Sequence, residues 1–252
     1  MLSIGCLKEN NDYDLRVSLT PETTKKLIQR NVNVFIEEDS GLSSGFSNND
    51  YEEAGAKILK NQKSLIKSSD IISSINPLDI NFQEIPREIK SKIFIGNFNF
   101  NNSIQDERFT FLALERIPRI ARAQSMDILS SQASIAGYQA SLLAANHLNK
   151  YFPMLITAAG TISPAKILVI GAGVAGLQAI ATSNRLGAKV TGFDVRESTK
   201  EQVESVGGKF LELDYEYDDS DKQGYAKEQT SEKQKKQNEL LSGTINNSDC
   251  VI

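Results

Sequence analysis

The sequence predicts an α/β protein in which two parallel-sheet lobes are joined by a long helix. Strand-like and helix-like stretches alternate through the first half of the chain, which is typical of parallel βαβ units. Residues 123–147 are rich in Ala, Leu and Gln and predict one long helix. A second α/β unit begins at Lys166 with an apolar strand. We therefore expect an N-terminal lobe over residues 1–133 and a second lobe over residues 134–252.

The first lobe opens with an apolar stretch, residues 1–7, that predicts a strand. Thr20 suits an N-cap and Pro21 suits the first position of a helix that we expect to reach about Arg30. Residues 32–36 alternate and are rich in β-branched side chains, which favours a strand. Further segments are predicted as a loop (41–45), a short helix (51–55), two strands (70–75 and 92–96) and a strand or short buried stretch (110–114).

The second lobe is predicted to begin with a strand that leads directly into a glycine-rich turn. Residues 166–170 are apolar, residues 171–176 are Gly-Ala-Gly-Val-Ala-Gly, and a helix is expected to follow. Gly187 ends that helix, and residues 189–193 form the next predicted strand. Residues 214–241 have no apolar period and carry acidic and Lys/Gln-rich runs, so composition alone predicts a solvated helix or a disordered insert.

Composition argues against several classes of function. With 28 Lys+Arg against 32 Asp+Glu, the net charge of −4 gives no electrostatic footprint for nucleic acid. The two cysteines, Cys6 and Cys250, lie near opposite ends, which argues against a disulfide framework and for a reducing compartment. His147 is the single histidine, so little material remains for a zinc site.

No targeting or membrane-spanning segment is predicted. The first seven residues lack a basic region and are too short for a signal peptide. The longest charge-free run, residues 128–149, contains many Ser, Gln and Asn side chains, whose burial in hydrocarbon would be too costly. We expect a soluble, cytoplasmic protein with no direct insertion into a membrane.

The glycine-rich turn predicts a Rossmann-type dinucleotide site. Gly171 permits the tight turn from strand to helix, Gly173 lets backbone N–H groups approach a pyrophosphate, and Gly176 lets the helix pack closely on the strand. The helix N-terminus then offers orphan N–H groups and a positive dipole end to the phosphates. A glycine turn in a nucleotide-free α/β domain is the simpler alternative.

An acidic residue at the end of the next strand indicates which dinucleotide is bound. Asp194 follows Gly176 by 18 residues, where a carboxylate accepts hydrogen bonds from the adenosine ribose. A carboxylate there repels a 2′-phosphate, which favours NAD over NADP. Arg196 lies only two residues further on and could serve a 2′-phosphate, so the residues alone leave NADP open.

Polar side chains are predicted to share one face of the long helix. Gln124, Asp127 and Ser130 fall at i, i+3 and i+6, and Arg119 and Arg122 lie just ahead of them. Ordinary capping and solvation explain such residues without a site. A dinucleotide fold supplies no chemistry of its own at the nicotinamide, however, so polar groups elsewhere must hold the carboxamide and ribose.

Several motifs together closely resemble the proton-translocating NAD(P) transhydrogenase α subunit, a member of the alanine dehydrogenase/transhydrogenase superfamily. The resemblance covers nearly the whole chain. The segments that carry it are residues 16–22 (Arg-Val-Ser-Leu-Thr-Pro-Glu), 119–132, 158–161, 171–182, 194–196 and 200–205.

The resemblance implies an oxidoreductase and translocase component that binds NAD(H) between two Rossmann-like lobes. Such a component passes hydride to NADP(H) held on a partner subunit, and a membrane subunit couples this transfer to proton movement. The implied location is cytoplasmic and peripheral to the inner membrane, through those partner subunits. A homodimer is also expected.

The resemblance also implies roles for particular residues. Arg119, Gln124 and Asp127 are the expected catalytic residues: with Ser130 they would hold the NAD nicotinamide and ribose, and Gln124 would reach toward the second nicotinamide. The other expected cofactor-binding residues are Gly171, Ala172, Gly173, Val174, Gly176, Asp194, Val195, Arg196, Gly224 and Tyr225. Gly224 and Tyr225 resemble part of a mobile loop that closes on bound NAD, with a helix after it.

Alanine dehydrogenase is the rival within the same superfamily. Amino-acid oxidation needs an acid/base group and a cation for the substrate carboxylate. That family carries a Lys just before the position of Asn76 and a His near Phe98, and this sequence has neither. His147 is interpreted as a packing or surface residue, and the role of Arg16 stays open. A non-catalytic NAD-binding fragment is the remaining alternative.

The last residues are apolar and predict a strand. Residues 248–252 are Ser-Asp-Cys-Val-Ile, where the resembled domain continues with further strands. We therefore expect a C-terminally truncated chain with an incomplete second lobe.

Overall fold

The protein consists of two compact units, which are described separately. The computed structural model describes residues 1–9, 13–76, 84–98, 106–118, 120–212 and 231–252. The units are Met1–Pro118 and Arg119–Ile252. The boundary expected at residues 133/134 falls inside a long helix of the second unit and stays a prediction.

The first unit is built on a parallel sheet of six strands in the order β3-β2-β1-β4-β5-β6. Its strands are β1 (Ser3–Cys6), β2 (Asn33–Glu37), β3 (Lys57–Leu59), β4 (Ile71–Ser73), β5 (Lys92–Gly96) and β6 (Phe109–Ala113). Its helices are α1 (Pro21–Gln29), α2 (Asn48–Glu53) and α3 (Gln62–Ser68). The predicted α/β class with parallel strands is confirmed.

Local signals account for most helix starts in this unit. The Thr20 hydroxyl accepts a hydrogen bond from the Thr23 amide at 3.2 Å, and Pro21 stands at the first helical position, as predicted. Helix α3 was not predicted. Asn61 caps it by accepting from the Ser64 amide, and its Leu65 is fully buried in the core. That single apolar turn is too short to show a helical period in the sequence.

The second unit holds a parallel sheet of four strands in the order β11-β10-β9-β12, and a separate antiparallel hairpin of β7 and β8. Its strands are β7 (Leu155–Thr157), β8 (Gly160–Ile162), β9 (Lys166–Ile170), β10 (Lys189–Phe193), β11 (Lys209–Phe210) and β12 (Cys250–Val251). Its helices are α4 (Ile128–His147), α5 (Val174–Arg185), α6 (Lys200–Ser205) and α7 (Ser231–Asn246).

The start of the long helix differs from the prediction. A helix was expected from residue 123, but Ala121–Met126 form a 3₁₀ segment and α4 begins at Ile128. The cause is Asp127, whose carboxylate accepts from the amides of Leu129 at 2.9 Å and Ser130 at 3.4 Å and so satisfies the open helix end. Gln124 therefore precedes the helix, and the prediction that it shares a face of α4 was wrong.

The hairpin was also missed. Residues 151–164 carry no two-residue Asn-Gly or Asp-Gly turn, which is the strongest local signal for a hairpin. Instead, the turn closes through Thr157, whose hydroxyl accepts from the Ala159 amide and donates to the Gly160 carbonyl. The φ angle of +135° at Gly160 is one that glycine adopts readily.

Helices α4 and α5 pack against each other through small residues. A Cβ atom on Gly137 of α4 would overlap the carbonyl oxygen of Ala175 in α5. One turn further along α4, the buried Ser141 hydroxyl donates to the Ala179 carbonyl at 3.0 Å and accepts from the Ser183 hydroxyl. Because contacts at 137 and 175 are followed by contacts at 141 and 179, the two helices run in the same direction.

Other expectations meet the structure in part. Residues 213–230 lie outside the described residues, and the helix expected after them is present as α7. The strand predicted over residues 248–252 is present as β12, which pairs with β9. Within the ranges given above, no helix is long and apolar enough to cross a bilayer.

The close approach of α4 and α5 generates a stability prediction. Gly137→Ala should lower the free energy of unfolding by about 1–3 kcal/mol, since the new methyl group meets backbone that cannot move aside. Chemical denaturation followed by circular dichroism measures the change.

Gly243→Ala in α7 is the matched control for that substitution. Gly243 is exposed and nothing lies within 4 Å of a Cβ there, so alanine should be neutral or stabilise the protein by up to about 1 kcal/mol. Equal effects at the two positions would contradict the packing argument.

Candidate functional site

The glycine-rich turn has the geometry of a tight strand-to-helix connection. Strand β9 ends at Ile170, and Gly171 follows with φ of +99°, which glycine tolerates without strain. The Gly171 amide donates to the Phe193 carbonyl at 2.7 Å, which ties the turn to β10. A Cβ atom on Gly176 would overlap the Gly171 carbonyl oxygen, so the first turn of α5 can lie here only with glycine at this position.

The N-terminus of α5 is open. Gly173 is the N-cap, makes no side-chain capping bond, and has no atom within 4 Å of where a Cβ would stand. The first-turn amides of a helix have no partner inside that helix. Half-exposed Gly171 and exposed Val174 flank this opening, while Ala172 is buried beneath it. Free amides, a positive dipole end and space for backbone approach fit the pyrophosphate of a dinucleotide.

Asp194 stands at the end of β10 and is bound to the turn. It is only 5% exposed, and its carboxylate accepts from the Ala172 amide at 2.7 Å. Burial raises the pKa of Asp194, but the hydrogen bonds from Arg196 and Ala172 outweigh it and hold that pKa below its usual range. The group is therefore an anion at neutral pH, at the position where an adenosine ribose is recognised.

Arg196 folds back onto the same carboxylate. Its Nε donates to one oxygen of Asp194 at 2.8 Å, its terminal nitrogen donates to the other at 3.0 Å, and its backbone amide adds a third bond at 2.9 Å. Both side chains are largely shielded from solvent. Val195 lies half-buried between them in sequence. The sequence placed Arg196 beside Asp194 but gave no sign of this pairing or of the Ala172 bond.

The acidic residue at the head of α4 is engaged in a similar way. Besides capping the helix, Asp127 accepts from the Ser130 hydroxyl at 2.7 Å. Asp127 precedes Gly137 by ten residues, which is about 15 Å of helix at 1.5 Å per residue. Because α4 runs parallel to α5 and meets its first turn at Gly137, Asp127 and Ser130 extend past the N-terminal end of α5, toward the side on which the glycine turn opens.

Part of the predicted site lies outside the described residues. This applies to Arg119, Gly224 and Tyr225, and to the side chain of Gln124. Their roles stay predictions.

Two residues that the sequence analysis left aside are now located. His147 is the exposed last residue of α4, at the opposite end of that helix from Asp127. In the first unit, Arg16 forms a bidentate ion pair with Asp14, at 2.8 Å and 2.6 Å. The Asp14 carboxylate also accepts from the Asn76 side chain at 3.1 Å, so the Arg16 guanidinium is already matched by a carboxylate.

The larger surface depressions of the second unit lie away from the glycine turn. One, of about 880 Å³, is lined by residues around the C-terminal end of α4, among them Leu148 and Tyr151. Another, of about 570 Å³, lies at the start of strands β9 and β10, which is the edge of the sheet opposite to the turn. Among the residues that the structure describes, no group of His, Cys, Asp and Glu could hold a metal ion.

A strand, a glycine turn, an uncapped helix and an acid at the end of the next strand define a Rossmann-type dinucleotide-binding unit. Residues 5–136 match the family described as alanine dehydrogenase/PNT, N-terminal domain, and residues 140–252 match alanine dehydrogenase/PNT, C-terminal domain. The chain belongs to the alanine dehydrogenase/PNT family.

The similar proteins within this family are transhydrogenases. The first of the separately encoded pieces of the NAD(P) transhydrogenase alpha subunit from Rickettsia prowazekii is 40% identical over 259 residues, which cover all of this chain and 68% of that protein. NAD(P) transhydrogenase subunit alpha of Haemophilus influenzae is 38% identical, over 99% of this chain and 49% of that protein. The crystal structure of transhydrogenase from Sinorhizobium meliloti superposes with a TM-score of 0.75 and 40% identity, over 83% of this chain and 64% of that one. The chain thus spans between half and about two thirds of their lengths.

The two last glycines of the turn should respond differently to the same substitution. Gly173→Ser should leave the free energy of unfolding within about 0.5 kcal/mol of the original, because serine is a good N-cap and its side chain enters open space. It should weaken NADH binding at least tenfold, since the hydroxyl takes the amides and the space of the pyrophosphate. Fluorescence titration of NADH measures the binding, and the chain has no Trp to interfere.

Gly176→Ser serves as the comparison. Its side chain meets the Gly171 carbonyl, so we expect a loss of about 1–3 kcal/mol in the free energy of unfolding. Normal NADH affinity in a folded Gly173→Ser protein would refute the assignment of the α5 terminus.

Proposed function

We propose that this chain is the NAD(H)-binding component of a proton-translocating NAD(P) transhydrogenase, passing hydride between NAD(H) and NADP(H) held on a partner subunit. The observation that carries the proposal is the 40% identity to a transhydrogenase α subunit along the whole chain. The open N-terminus of α5 and the buried carboxylate of Asp194 add a physical basis for binding NAD(H).

The nucleotide would extend from Asp194 across the glycine turn toward the head of α4. Asp194 would accept from the adenosine ribose, and the amides around Gly173 would hold the pyrophosphate. Asp127 and Ser130 would hold the nicotinamide end, together with Arg119 and Gln124. Gly224 and Tyr225 would close over it. The bound nicotinamide supplies the hydride, and these residues orient it and exclude water.

Direct transfer between two nicotinamides needs no acid or base at the transfer site. The arrangement of Asp127 agrees with such a positioning role, since its oxygens accept from two backbone amides and the Ser130 hydroxyl. A carboxylate held by three donors is poorly suited to accept a proton, because hydrogen bonds to the charged form lower its pKa. It is well suited to fix the orientation of the helix end against a ribose or carboxamide.

Alanine dehydrogenation is the second candidate, because the family includes it. That reaction requires a free cation for the substrate carboxylate and a group that moves a proton. In the first unit, the obvious cation, Arg16, is paired with Asp14, and the single histidine of the chain, His147, is at the far end of α4 from Asp127. These observations favour transhydrogenation.

An exposed apolar surface in the second unit supports a homodimer. It comprises the hairpin β7–β8 and one side of α4, and Ile156 in the hairpin is 76% exposed. Its other large exposed members are Met154, Ile162, Ile135 and Tyr138. Contiguous apolar surface of this kind marks a protein interface. Attachment to the inner membrane would be indirect, through NADP-binding and membrane subunits.

Asp127→Asn should separate positioning from binding. Asparagine also caps helices, so the fold should be kept, while loss of the charge should slow hydride transfer at least tenfold and change the Kd for NADH by less than about threefold. The assay mixes the chain with an NADP-binding transhydrogenase subunit and follows hydride exchange between NADH and an NADP analogue.

Two controls complete that experiment. Asp127→Ala removes the cap and should cost about 1 kcal/mol in the free energy of unfolding. Alanine-dependent reduction of NAD by the chain alone would favour the dehydrogenase instead. NADH binding with no hydride exchange beside a verified partner would indicate a non-catalytic module.

Ile156→Asp should weaken self-association. A charge in the apolar hairpin would have to be desolvated on assembly, so the dimer dissociation constant should rise at least tenfold in analytical ultracentrifugation. Leu42→Asp introduces the same charge at an exposed apolar residue of the first unit and should leave association unchanged. A dimer that withstands Ile156→Asp would exclude this surface.

A further inference from the structure

We propose that Asp194 restrains Arg196, and that this restraint makes the adenosine end of the site reject NADP(H). Arg196 would be a latent 2′-phosphate-binding residue, held inactive by the carboxylate beside it. The inference rests on the proposed function and deepens it, because hydride exchange between two nucleotides requires each of them to enter its own site.

The Asp194 carboxylate has no acceptor capacity to spare. An ionised carboxyl group offers about four lone-pair positions. Asp194 receives four hydrogen bonds: one from the Ala172 amide and three from Arg196, through its backbone amide, its Nε and a terminal nitrogen. A ribose can therefore be accepted only if some of the Arg196 side-chain bonds are exchanged for ribose hydroxyls.

The pairing also neutralises the positive charge that a 2′-phosphate would need. The guanidinium of Arg196 faces the carboxylate with two nitrogens, and the side chains of Arg196 and Asp194 are only 18% and 6% exposed. A shielded pair of this kind is little screened by salt. The next cation along the chain, Lys200, is paired with Glu212. A 2′-phosphate brought to this edge would meet a carboxylate and an arginine already matched in charge.

Removing the carboxylate charge should reverse the selectivity. In Asp194→Asn, the amide oxygen can still accept from Ala172, which preserves the turn. The amide NH2 then opposes the donors of Arg196, so the guanidinium is released and can form a bidentate contact with a phosphate. If Arg196 served only to hold Asp194 in place, the same substitution would weaken binding of both nucleotides without any gain for NADPH.

The experiment measures the Kd of NADH and of NADPH by fluorescence titration for four proteins: the unaltered chain, Asp194→Asn, Arg196→Ala and the double variant. Asp194→Asn should weaken NADH about tenfold and strengthen NADPH about tenfold, each about 1.4 kcal/mol. The double variant should lose the gain for NADPH, and Arg196→Ala alone should keep the preference for NADH. Raising the ionic strength should reduce the NADPH gain, because the released guanidinium is exposed.

Further variants keep the result interpretable. Asp194→Ser tests the same release if Asp194→Asn fails to fold in thermal unfolding, since its hydroxyl can accept from the Ala172 amide. Arg196→Lys in the Asp194→Asn background should restore part of the NADPH gain, as lysine keeps the charge but not the bidentate geometry.

The possible outcomes separate the two proposals. An unaltered chain that fails to bind NADH would overturn the proposed function itself. An unaltered chain that binds NADH, with no NADPH gain in Asp194→Asn or Asp194→Ser, would overturn only the inference about Arg196. An NADPH gain that survives in the double variant would also overturn it, because the phosphate would then be held by other groups.

Discussion

The first turn of α5 is held between two backbone surfaces, and the rest of the second unit depends on this contact. On one side Gly176 meets the Gly171 carbonyl, and on the other the Ala175 carbonyl meets Gly137 of α4. Any side chain at either glycine would force the helices or the strand apart, because backbone cannot move aside as a flexible side chain can. The contact keeps the amides of α5 open and aligns α4 in parallel, so the same packing that stabilises the unit also arranges its site.

Two acids connect this packing to chemistry, and both are bound to backbone before any ligand arrives. Asp194 accepts from the Ala172 amide and Asp127 accepts from the first amides of α4. Each acid therefore holds a loop or helix end in shape while presenting a fixed negative charge. Such preorganisation is what transfer between two nicotinamides requires, because the chemistry lies in the nucleotides and the protein contributes orientation and exclusion of water.

The family offers two reactions on one fold, and the difference lies in which charged groups are free. Amino-acid oxidation needs a proton-moving group and an unpaired cation near the nicotinamide. In this chain Arg16 is matched by Asp14, Arg196 is matched by Asp194, and His147 ends α4 at the side remote from Asp127. Fold and family membership alone would not separate these activities, since function is decided by the site rather than by the fold.

The amino-acid sequence by itself determined the β9–α5–β10 unit and the start of α1, because their signals are local: an apolar strand, glycines at fixed spacing, and Thr20 before Pro21. Sequence similarity located the candidate residues of α4 but placed Gln124 on the wrong side of the helix start. Only the tertiary structure decided that Asp127 ends the preceding 3₁₀ segment, that residues 155–162 form a hairpin, and that Arg196 folds onto Asp194. Each of these depends on which of several available partners a polar group finds, and that choice is made by packing between segments, which a one-dimensional pattern does not record.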